Sequence, residues 1–294
     1  MASATVSSKD FHFTSSDDLP IACFRWDARG PSRGILQIAH GLGEHIGRYA
    51  ELITVLQEAG LVVYGHDHRG HGRTVRSPEE FGDYGEGGFD LLVEDMAELT
   101  RIAKEENPGQ PLLLLGHSMG SFATQQFVLD RSHSIDGLIL SGSGVLDGMV
   151  RLSRAALQKY NFLNAAFEPA RTTFDWLSRD ASIVDAFMKD PLCLPMLKPA
   201  STASFLGAST RLADPALLSE IRPDLPVHLF SGSEDPVGGR LVGVCTLMNR
   251  YHKAGICDIS FDFYDGGRHE MLNETNRGEV RTNLLVWISG VLRW

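Results

Sequence analysis

The sequence contains few cysteines, and they follow no ligand-binding or disulfide pattern. The four cysteines in 294 residues are Cys23, Cys193, Cys245 and Cys257, and no two of them form a C-x-x-C pair. A zinc ribbon or a disulfide framework would need closely spaced cysteines. We therefore expect all four to be reduced and structural.

Long apolar runs and basic tracts are also missing. No hydrophobic segment approaches the ~20 residues of a membrane-spanning helix, and the opening MASATVSSKDF resembles no secretory leader. Lys plus Arg number 27 against 37 Asp plus Glu, which gives a formal net charge of -10. This balance argues against nucleic-acid binding and against purely electrostatic attachment to a membrane. The sequence predicts a cytoplasmic protein without a nucleic-acid partner, in which an apolar surface would still allow peripheral contact with lipid.

The composition present is that of a folded protein, with 43% hydrophobic and 22% charged residues. Apolar strands alternate with amphipathic helices from about residue 33. Strands are predicted over 33–40, 61–67, 111–116, 137–142, 226–232 and 258–264, and helices over 48–60, 89–107, 118–130, 239–254 and 276–291. FHFTS and LPIACFRWD predict an antiparallel hairpin before this series. The alternation predicts an α/β fold with a mostly parallel central sheet flanked by helices.

The alternation breaks between residues 145 and 224. Apolar helical stretches over 151–163 and 181–190 are separated by prolines. We predict that residues 145–224 form an inserted helical cap and that residues 1–144 and 225–294 form the core. Most of the cap aromatics are expected to serve packing. These include Phe162, Phe167, Phe174 and Trp176, and the separating prolines are Pro169, Pro191, Pro195, Pro199 and Pro215.

The stretch LLLLGHSMG carries the most specific chemical signal. An apolar strand ends in a G-x-S-x-G motif, and a helix begins directly after it. Gly116 and Gly120 are the small neighbours that a strained strand-to-helix turn requires, so Ser118 would project its hydroxyl above the sheet. Ser118 is the predicted nucleophile. The alternative is that Ser118 only caps the following helix.

A serine nucleophile needs a base and an acid that orients the base. Asp235 follows the strand predicted over 226–232, and His269 follows the strand predicted over 258–264. Both therefore lie at the carboxyl edge of the sheet, where open α/β sheets build their sites. Asp235 is the predicted acid and His269 the predicted base.

Other residues compete for these two roles. Glu234 is a second carboxylate in the same loop, whereas Asp262 lies inside a strand. His228 and His252 fall inside a strand and a helix, which makes them poorer candidates for the base.

Two backbone amides are predicted to stabilise a tetrahedral oxyanion. One belongs to Met119, directly after the nucleophile, and the other to Leu42 in the loop that leaves the first parallel strand. His40, Gly41 and Gly43 complete that loop. The alternative is that the loop is only a glycine-rich turn.

Two further segments resemble ligand-binding motifs only in part. HDHRGH at 66–71 is similar to a zinc pattern, but Gly70 stands where a carboxylate would complete it. GLGEHIG does not match the dinucleotide fingerprint, and there is no P-loop. The sequence predicts neither a metal nor a cofactor.

Five motifs occur in the order found in one known family: HGLGEHIGRY, YGHDHRGHGRT, GHSMG, SGSEDPV and GGRHEMLNE. On these motifs the chain resembles the monoacylglycerol lipase and lysophospholipase branch of the α/β-hydrolase superfamily. The likeness runs from about Gly34 to the C-terminus and is weakest across the cap. It implies an α/β-hydrolase fold whose cap is a lid over an acyl pocket. Ser121 departs from the pattern, because many members carry glycine there, and we expect a small packing change.

The resemblance also implies the same site residues. The family's oxyanion loop contains the position of Leu42, and Met119 would be the second donor. The family's nucleophile, acid and base correspond to Ser118, Asp235 and His269.

Together these observations predict a serine esterase. The favoured substrates are esters of single-chain lipids, of monoacylglycerol or lysophospholipid type, reached through transient membrane or micelle contact by the cap. Other small monoesters such as aryl or phthalate esters, a lactone or an N-terminal peptide are alternative substrates on the same fold. An acyltransferase and a non-catalytic ligand-binding receptor are alternative functions. The sequence does not predict an oligomeric state.

Overall fold

A computed structural model describes residues 7–156, 163–193 and 196–294. Phe162 and Pro195, two residues assigned to the predicted cap, lie outside the described residues.

One sheet of eight strands organises the described part of the chain. The strands are β1 (Lys9–Thr14), β2 (Pro20–Trp26), β3 (Gly34–Ala39), β4 (Leu61–His66), β5 (Leu112–His117), β6 (Gly137–Ser141), β7 (Val227–Gly232) and β8 (Ile259–Tyr264). Their order in the sheet is β1-β2-β4-β3-β5-β6-β7-β8. β1 pairs antiparallel with β2, and β2 with β4, whereas every other neighbouring pair is parallel. The predicted α/β fold, with its mostly parallel sheet and N-terminal hairpin, is confirmed.

Helices cover both faces of this sheet. They are α1 (Ala50–Glu58), α2 (Gly88–Glu106), α3 (Met119–Arg131), α4 (Leu146–Ala156), α5 (Ala181–Lys189), α6 (Pro199–Leu212), α7 (Pro215–Leu218), α8 (Val242–Lys253) and α9 (Arg277–Leu292). α8 begins three residues later than predicted, because Gly239, Arg240 and Leu241 all have positive φ angles that a right-handed helix excludes. Within the described ranges, no helix combines the length and apolar character needed to cross a bilayer.

The four consecutive leucines of β5 illustrate why the sheet is buried on both faces. Successive side chains of a strand point to opposite faces. Leu112 and Leu114 join a core cluster with residues of α2, α3 and α8, whereas Leu113 and Leu115 join a second cluster with residues of α1 and α9. Each buried leucine contributes roughly 1.5–3 kcal/mol. A continuous apolar run, rather than an alternating one, is the expected pattern for such a strand.

The chain between β6 and β7 holds α4 to α7. Leu177, Val184, Phe187 and Cys193 form a small hydrophobic cluster within this segment. Phe205 and Leu212 of α6 pack instead into the cluster that covers the sheet. The segment is therefore anchored on the core through α6 while α5 packs within the small cluster.

The junction between β5 and α3 leaves no room for a side chain at Gly120. A Cβ atom there would lie 2.3 Å from the Ala39 carbonyl oxygen and 2.4 Å from the His40 carbonyl oxygen. Both neighbours are backbone atoms of the chain leaving β3, so rotation of a side chain cannot relieve the contact. α3 can approach β3 this closely because residue 120 is glycine.

Replacement of this glycine is expected to destabilise the fold. Gly120→Ala should lower the free energy of unfolding by about 3 kcal/mol, because the backbone around β3 must move to accept the methyl group. Gly207→Ala is the matched control, since a Cβ at this exposed position of α6 meets no atom within 4 Å. The control should be neutral or gain up to about 1 kcal/mol from helix propensity. Urea denaturation measures both, and equal stabilities for the two variants would contradict the argument.

Candidate active site

Ser118 occupies a strained turn between β5 and α3. Its φ and ψ angles are 53° and -121°, a conformation that L-residues rarely adopt. The Ser118 N–H donates to the Ser141 carbonyl (2.9 Å), and the Ser118 carbonyl accepts from the N–H of Ser121 (2.8 Å) and of Phe122 (3.2 Å). The Ser118 side chain makes no capping hydrogen bond to α3. The alternative of a simple helix cap therefore finds no support in the geometry.

Ser121 adds a further contact to this turn. Its hydroxyl donates to the Ser118 carbonyl at 2.6 Å and lies 2.8 Å from the Ser143 hydroxyl. Glycine, the residue that the family resemblance leads us to expect at this position, could make neither contact. The expected local change at residue 121 thus consists of an additional buried hydrogen bond that holds the turn.

Asp235 and His269 meet at the carboxyl edge of the sheet. His269 Nδ1 lies 2.9 Å from Asp235 Oδ1, which also accepts from the Val237 N–H at 2.9 Å. Both side chains are buried. The shared Asp235 oxygen orients the imidazole so that Nδ1 donates and Nε2 is left as the free ring nitrogen.

The competing residues are engaged elsewhere. Glu234 forms an ion pair with Arg240 at 3.2 Å on the surface. Asp262 lies 3.5 Å from His228 Nε2, away from His269. Of the carboxylates considered from the sequence, the structure brings only Asp235 to His269.

Aromatic rings enclose the His269 imidazole. Its centroid lies 4.9 Å from the Trp176 ring and 4.8 Å from the His117 ring. Burial by itself would disfavour the protonated form, but the negative charge of Asp235 and the hydrogen bond to it outweigh this effect. The pKa of His269 is therefore raised above its ordinary value.

A cavity of about 790 Å³ brings the predicted residues together. Ser118, His269, Leu42 and Met119 all line it. The loop after β3 approaches the serine closely, because a Cβ at Gly41 would lie 3.1 Å from Ser118 Cβ. The N–H of Met119 is the first of α3 and has no acceptor within the helix.

The His40 side chain stabilises the loop after β3 through two hydrogen bonds. Its Nε2 accepts from the His68 N–H at 3.0 Å, so its Nδ1 carries the proton and donates to the Gly41 carbonyl at 2.8 Å. Gly43, with φ of 69°, turns the chain two residues later. The two hydrogen bonds of His40 stabilise the loop conformation around Leu42.

Several polar residues that line the cavity carry no role predicted from the sequence. Glu44, Arg48, His117 and Glu270 line it alongside the predicted residues. Glu44 and Arg48 belong to the HGLGEHIGRY motif, and His117 and Glu270 directly precede or follow predicted site residues. Their position within or next to the motifs could have marked these four residues as candidates. Nothing in the sequence indicated that their side chains are buried.

A buried ion-pair network joins these side chains. Arg48 donates to Glu44 Oε2 at 2.7 Å and to both carboxylate oxygens of Glu270 at 2.7 Å. Glu44 Oε1 accepts from the Gly41 N–H (2.6 Å) and the Tyr49 hydroxyl (2.8 Å). Burial alone would raise the pKa of Glu44, but the Arg48 charge together with the hydrogen bonds from the Gly41 N–H and the Tyr49 hydroxyl holds that pKa below its ordinary value. Glu44 thus connects the loop beside Ser118 to the loop that carries His269.

Four buried histidines form a cluster beneath the loop after β3. The His40 and His68 ring centroids are 4.3 Å apart, those of His66 and His68 4.5 Å, and those of His40 and His71 5.4 Å. The segment 66–71, which is similar to a zinc pattern in sequence, contributes three of these packed rings. Burial lowers the pKa of His66 to about 3 and that of His71 to about 4, so both are neutral at pH 7.

This cluster should make the protein sensitive to acid. A histidine that takes up a proton near pH 6.5 when unfolded, but only near pH 3–4 when folded, stabilises the fold fully above pH 6.5. That stability is lost as the pH falls from 6.5 towards 4. We expect roughly 2 kcal/mol lost for each of His66 and His71 between pH 7 and pH 5, measured by urea denaturation.

A substitution within the cluster identifies the source of this pH dependence. His66→Gln should reduce the loss between pH 7 and pH 5, whereas His252→Gln, at an exposed position of α8, should leave it unchanged. Identical pH dependence in both variants would show that the cluster is not responsible.

Comparison with known proteins gives the class of this chain. The sheet order and the position of the cavity define an α/β-hydrolase fold, and a sequence profile described as "Serine aminopeptidase, S33" matches residues 30–276. The chain therefore belongs to this family of α/β-hydrolases, and within it is a monoacylglycerol lipase-like serine hydrolase of the esterase and lipase class.

Individual relatives cover nearly the whole chain. Monoglyceride lipase of Rattus norvegicus is 30% identical over 288 residues, covering 95% of this chain and 89% of the relative. Monoacylglycerol lipase of Mycolicibacterium smegmatis is 29% identical over 265 residues, covering 90% of each. The structure of a thermostable carboxyl esterase from Bacillus coagulans in complex with glycerol superimposes with a TM-score of 0.88 at 27% identity, covering 98% of this chain and 100% of that one.

Proposed function

We propose that this protein hydrolyses carboxylic esters of single-chain lipids, of monoacylglycerol or lysophospholipid type, with Ser118, His269 and Asp235 as a catalytic triad. The observation that carries the proposal is the cavity, whose wall holds Ser118 and His269 and whose lining is largely apolar apart from a group of paired charged side chains. The names of the rat and mycobacterial relatives agree with this substrate class.

The apolar lining suits an acyl chain. Each methylene group removed from water contributes about 0.8 kcal/mol, so a long chain gains several times the binding energy of an acetyl group. The apolar residues that line the cavity are Leu42, Phe81, Met119, Phe122, Met149, Leu163, Phe174, Trp176, Leu177, Phe187, Met196, Phe205 and Val237. Two of them, Phe174 and Trp176, belong to the cap aromatics of which the sequence predicts that most serve packing.

The first half-reaction forms an acyl-enzyme. Ser118 Oγ attacks the ester carbonyl while His269 Nε2 takes the hydroxyl proton, and the charge of Asp235 stabilises the imidazolium that results. The N–H groups of Leu42 and Met119 donate to the oxyanion of the tetrahedral intermediate, each worth roughly 10²-fold to 10³-fold in rate. Collapse of the intermediate breaks the ester bond, and the leaving alcohol takes the proton from His269.

The second half-reaction releases the fatty acid. A water molecule loses a proton to His269 and attacks the acyl carbonyl, and the same amides stabilise the second oxyanion. Breakdown of this intermediate returns the proton to Ser118 Oγ and frees the carboxylic acid. The two half-reactions together consume one ester and one water molecule and release one alcohol and one carboxylic acid.

We place the cap at residues 145–224, with the core formed by residues 1–144 and 225–294. Phe174, Trp176 and Phe187 from this segment line the cavity, which supports a role in covering the acyl chain. Met188 and Met196 are exposed by 51% and 73%. We propose that these methionines make transient contact with a membrane or micelle when a lipid enters, because exposed apolar side chains favour such surfaces.

Hydrolysis rates on a matched set of substrates test the proposal. With one acyl chain throughout, a monoacylglycerol or a lysophospholipid should be hydrolysed faster than a phthalate monoester or a simple alkyl ester. An aminoacyl amide tests the N-terminal peptide alternative, which the family description also allows. Ser118→Ala should lower kcat by about 10⁵-fold to 10⁶-fold, and Ser289→Ala on α9 should leave it unchanged.

Two results would overturn this assignment. Turnover that persists in Ser118→Ala would exclude Ser118 as the nucleophile. Equal rates on all esters, or preference for the aminoacyl amide, would retain the nucleophile but reject lipid monoesters as the substrate class.

The Asp235 carboxylate should control both the rate and its pH dependence. Because only neutral His269 accepts a proton, kcat/KM should fall as the pH drops below the raised pKa of His269. Asp235→Asn should lower the plateau rate by about 10⁴-fold and move the acidic limb to lower pH, since the charge that raises the pKa is gone. Glu234→Gln, one residue away, should alter neither property, and an effect of equal size there would contradict the role of Asp235.

A further inference from the structure

Three metal-ligating side chains meet outside the site described above. His45 lies in the loop after β3, and Asp190 and Cys193 follow α5. One donor atom from each residue lies within 4.8 Å of the other two. We propose that His45, Asp190 and Cys193 bind a divalent cation of the zinc class and thereby link the α5 segment to the loop beside Ser118.

The chemistry of the three donors favours zinc over a hard cation. Imidazole nitrogen, carboxylate oxygen and thiolate sulfur are the ligands that hold Zn²⁺ in proteins, whereas Mg²⁺ and Ca²⁺ take oxygen ligands. Tetrahedral zinc with bonds of about 2.0–2.3 Å separates its ligand atoms by about 3.3–3.8 Å. The largest separation in this group is 4.8 Å at most, so side-chain movements of about 1 Å complete the geometry. Three protein ligands leave a fourth position for water.

The local backbone presents Asp190 and Cys193 on the same side. The Cys193 N–H donates to the Asp190 carbonyl at 3.1 Å, which closes a turn after α5. Asp190 Oδ1 accepts from the Leu192 N–H at 2.9 Å, so Oδ2 remains directed at His45. Among the residues that the structure describes, no hydrogen bond to the Cys193 thiol occurs.

His45 presents its Nε2 atom to the same point. Nε2 lies 2.9 Å from Asp190 Oδ2, and Nδ1 accepts a longer hydrogen bond of 3.2 Å from the Gly47 N–H. When the cation binds at Nε2, the neutral ring carries its proton on Nδ1 and gives up the contact with Gly47. The Cys193 thiol releases its proton to solvent as the metal–sulfur bond forms.

Accessibility and charge both favour entry of a cation. The side chains of His45 and Asp190 are 13% and 30% exposed, and Cys193 is buried behind them. Glu44 and Glu270 place two negative charges nearby against the single positive charge of Arg48. With Asp190, the surroundings carry a net negative charge that attracts a divalent cation.

Binding at this point should affect the active-site cavity. His45 directly follows Glu44, which holds the Gly41 N–H beside Ser118. On the other side, Phe187 of α5 lines the cavity and packs under Arg48 at 5.0 Å. A bound cation therefore restrains the cap segment over the cavity, and we expect slower turnover of long-chain esters. This last consequence rests on the proposed function, whereas the site itself does not.

Zinc binding to the EDTA-treated full chain tests the site directly. Isothermal titration should give one Zn²⁺ per chain, and thermal melting should shift to higher temperature as zinc is added. Co²⁺ in place of zinc should produce a thiolate-to-cobalt charge-transfer absorption. Cys193→Ser should weaken zinc binding by about 100-fold or more, because loss of a residue that only supports a metal ligand already costs about 10-fold to 100-fold. The same variant should abolish the absorption.

The matched control replaces the two exposed cysteines. The double variant Cys245→Ser, Cys257→Ser should retain both the affinity and the absorption. Asp190→Asn and His45→Gln, at more exposed positions, provide the same test where Cys193→Ser does not fold, and melting in EDTA verifies the fold of each variant. Binding is also measured in Ser118→Ala, which should bind zinc as the parent chain does even without ester hydrolysis.

Several results would overturn the proposal. These are no zinc binding by the parent chain, unchanged binding in the variants of His45, Asp190 and Cys193, or loss of binding in the Cys245 and Cys257 control. In the first two cases the contact between His45 and Asp190 is an ordinary hydrogen bond. Each outcome is independent of whether the lipid ester assignment holds.

Discussion

The close approach of α3 to the chain leaving β3 is the constraint on which the site depends. Gly120 meets the Ala39 and His40 carbonyls where no side chain would fit, and this packing holds Ser118 at a positive φ angle. The strain is offset by buried hydrogen bonds to Ser141, Ser121 and Phe122. Because the loop around Gly41 is packed against the same turn, the positions of the serine hydroxyl and of the two proposed oxyanion donors depend on each other.

A buried network of ion pairs also positions the loops around the site. Arg48 joins Glu44, in the loop beside Ser118, to Glu270, which directly follows His269. Such a network is costly to desolvate and is held by several charge-assisted hydrogen bonds, so the loss of one partner leaves an uncompensated charge. It couples the position of the loop that carries the proposed oxyanion donor Leu42 to that of the proposed base. Both the proposed catalytic chemistry and the proposed cation site border on this network.

The three proposed triad residues could be predicted from the sequence, for a reason that lies in the fold. Ser118, Asp235 and His269 each follow a recognisable strand, and the carboxyl ends of parallel strands share one edge of the sheet. The sequence favoured Asp235 over the adjacent Glu234, and in the structure Asp235 Oδ1 lies 2.9 Å from His269 Nδ1 while Glu234 pairs with Arg240. The sequence assigned no role to four polar residues of the cavity wall, because it does not reveal which charged or titratable side chains are buried. These are Glu44, Arg48, His117 and Glu270. The roles of the triad and the oxyanion donors stay predictions until the variants are measured.

The sequence by itself determined the succession of strands and helices along the core and the place of the strained turn, but not α6 and α7. Both are local properties, set by apolar periodicity and by the small residues around Ser118. The tertiary structure alone decided which distant side chains meet. His45 and Asp190 are 145 residues apart, and Arg48 and Glu270 are 222 apart. The first contact depends on how the segment between β6 and β7 folds back over the sheet, and the second depends on how the loops after β3 and β8 meet at its edge. Packing of separate segments leaves no periodic signal in the chain.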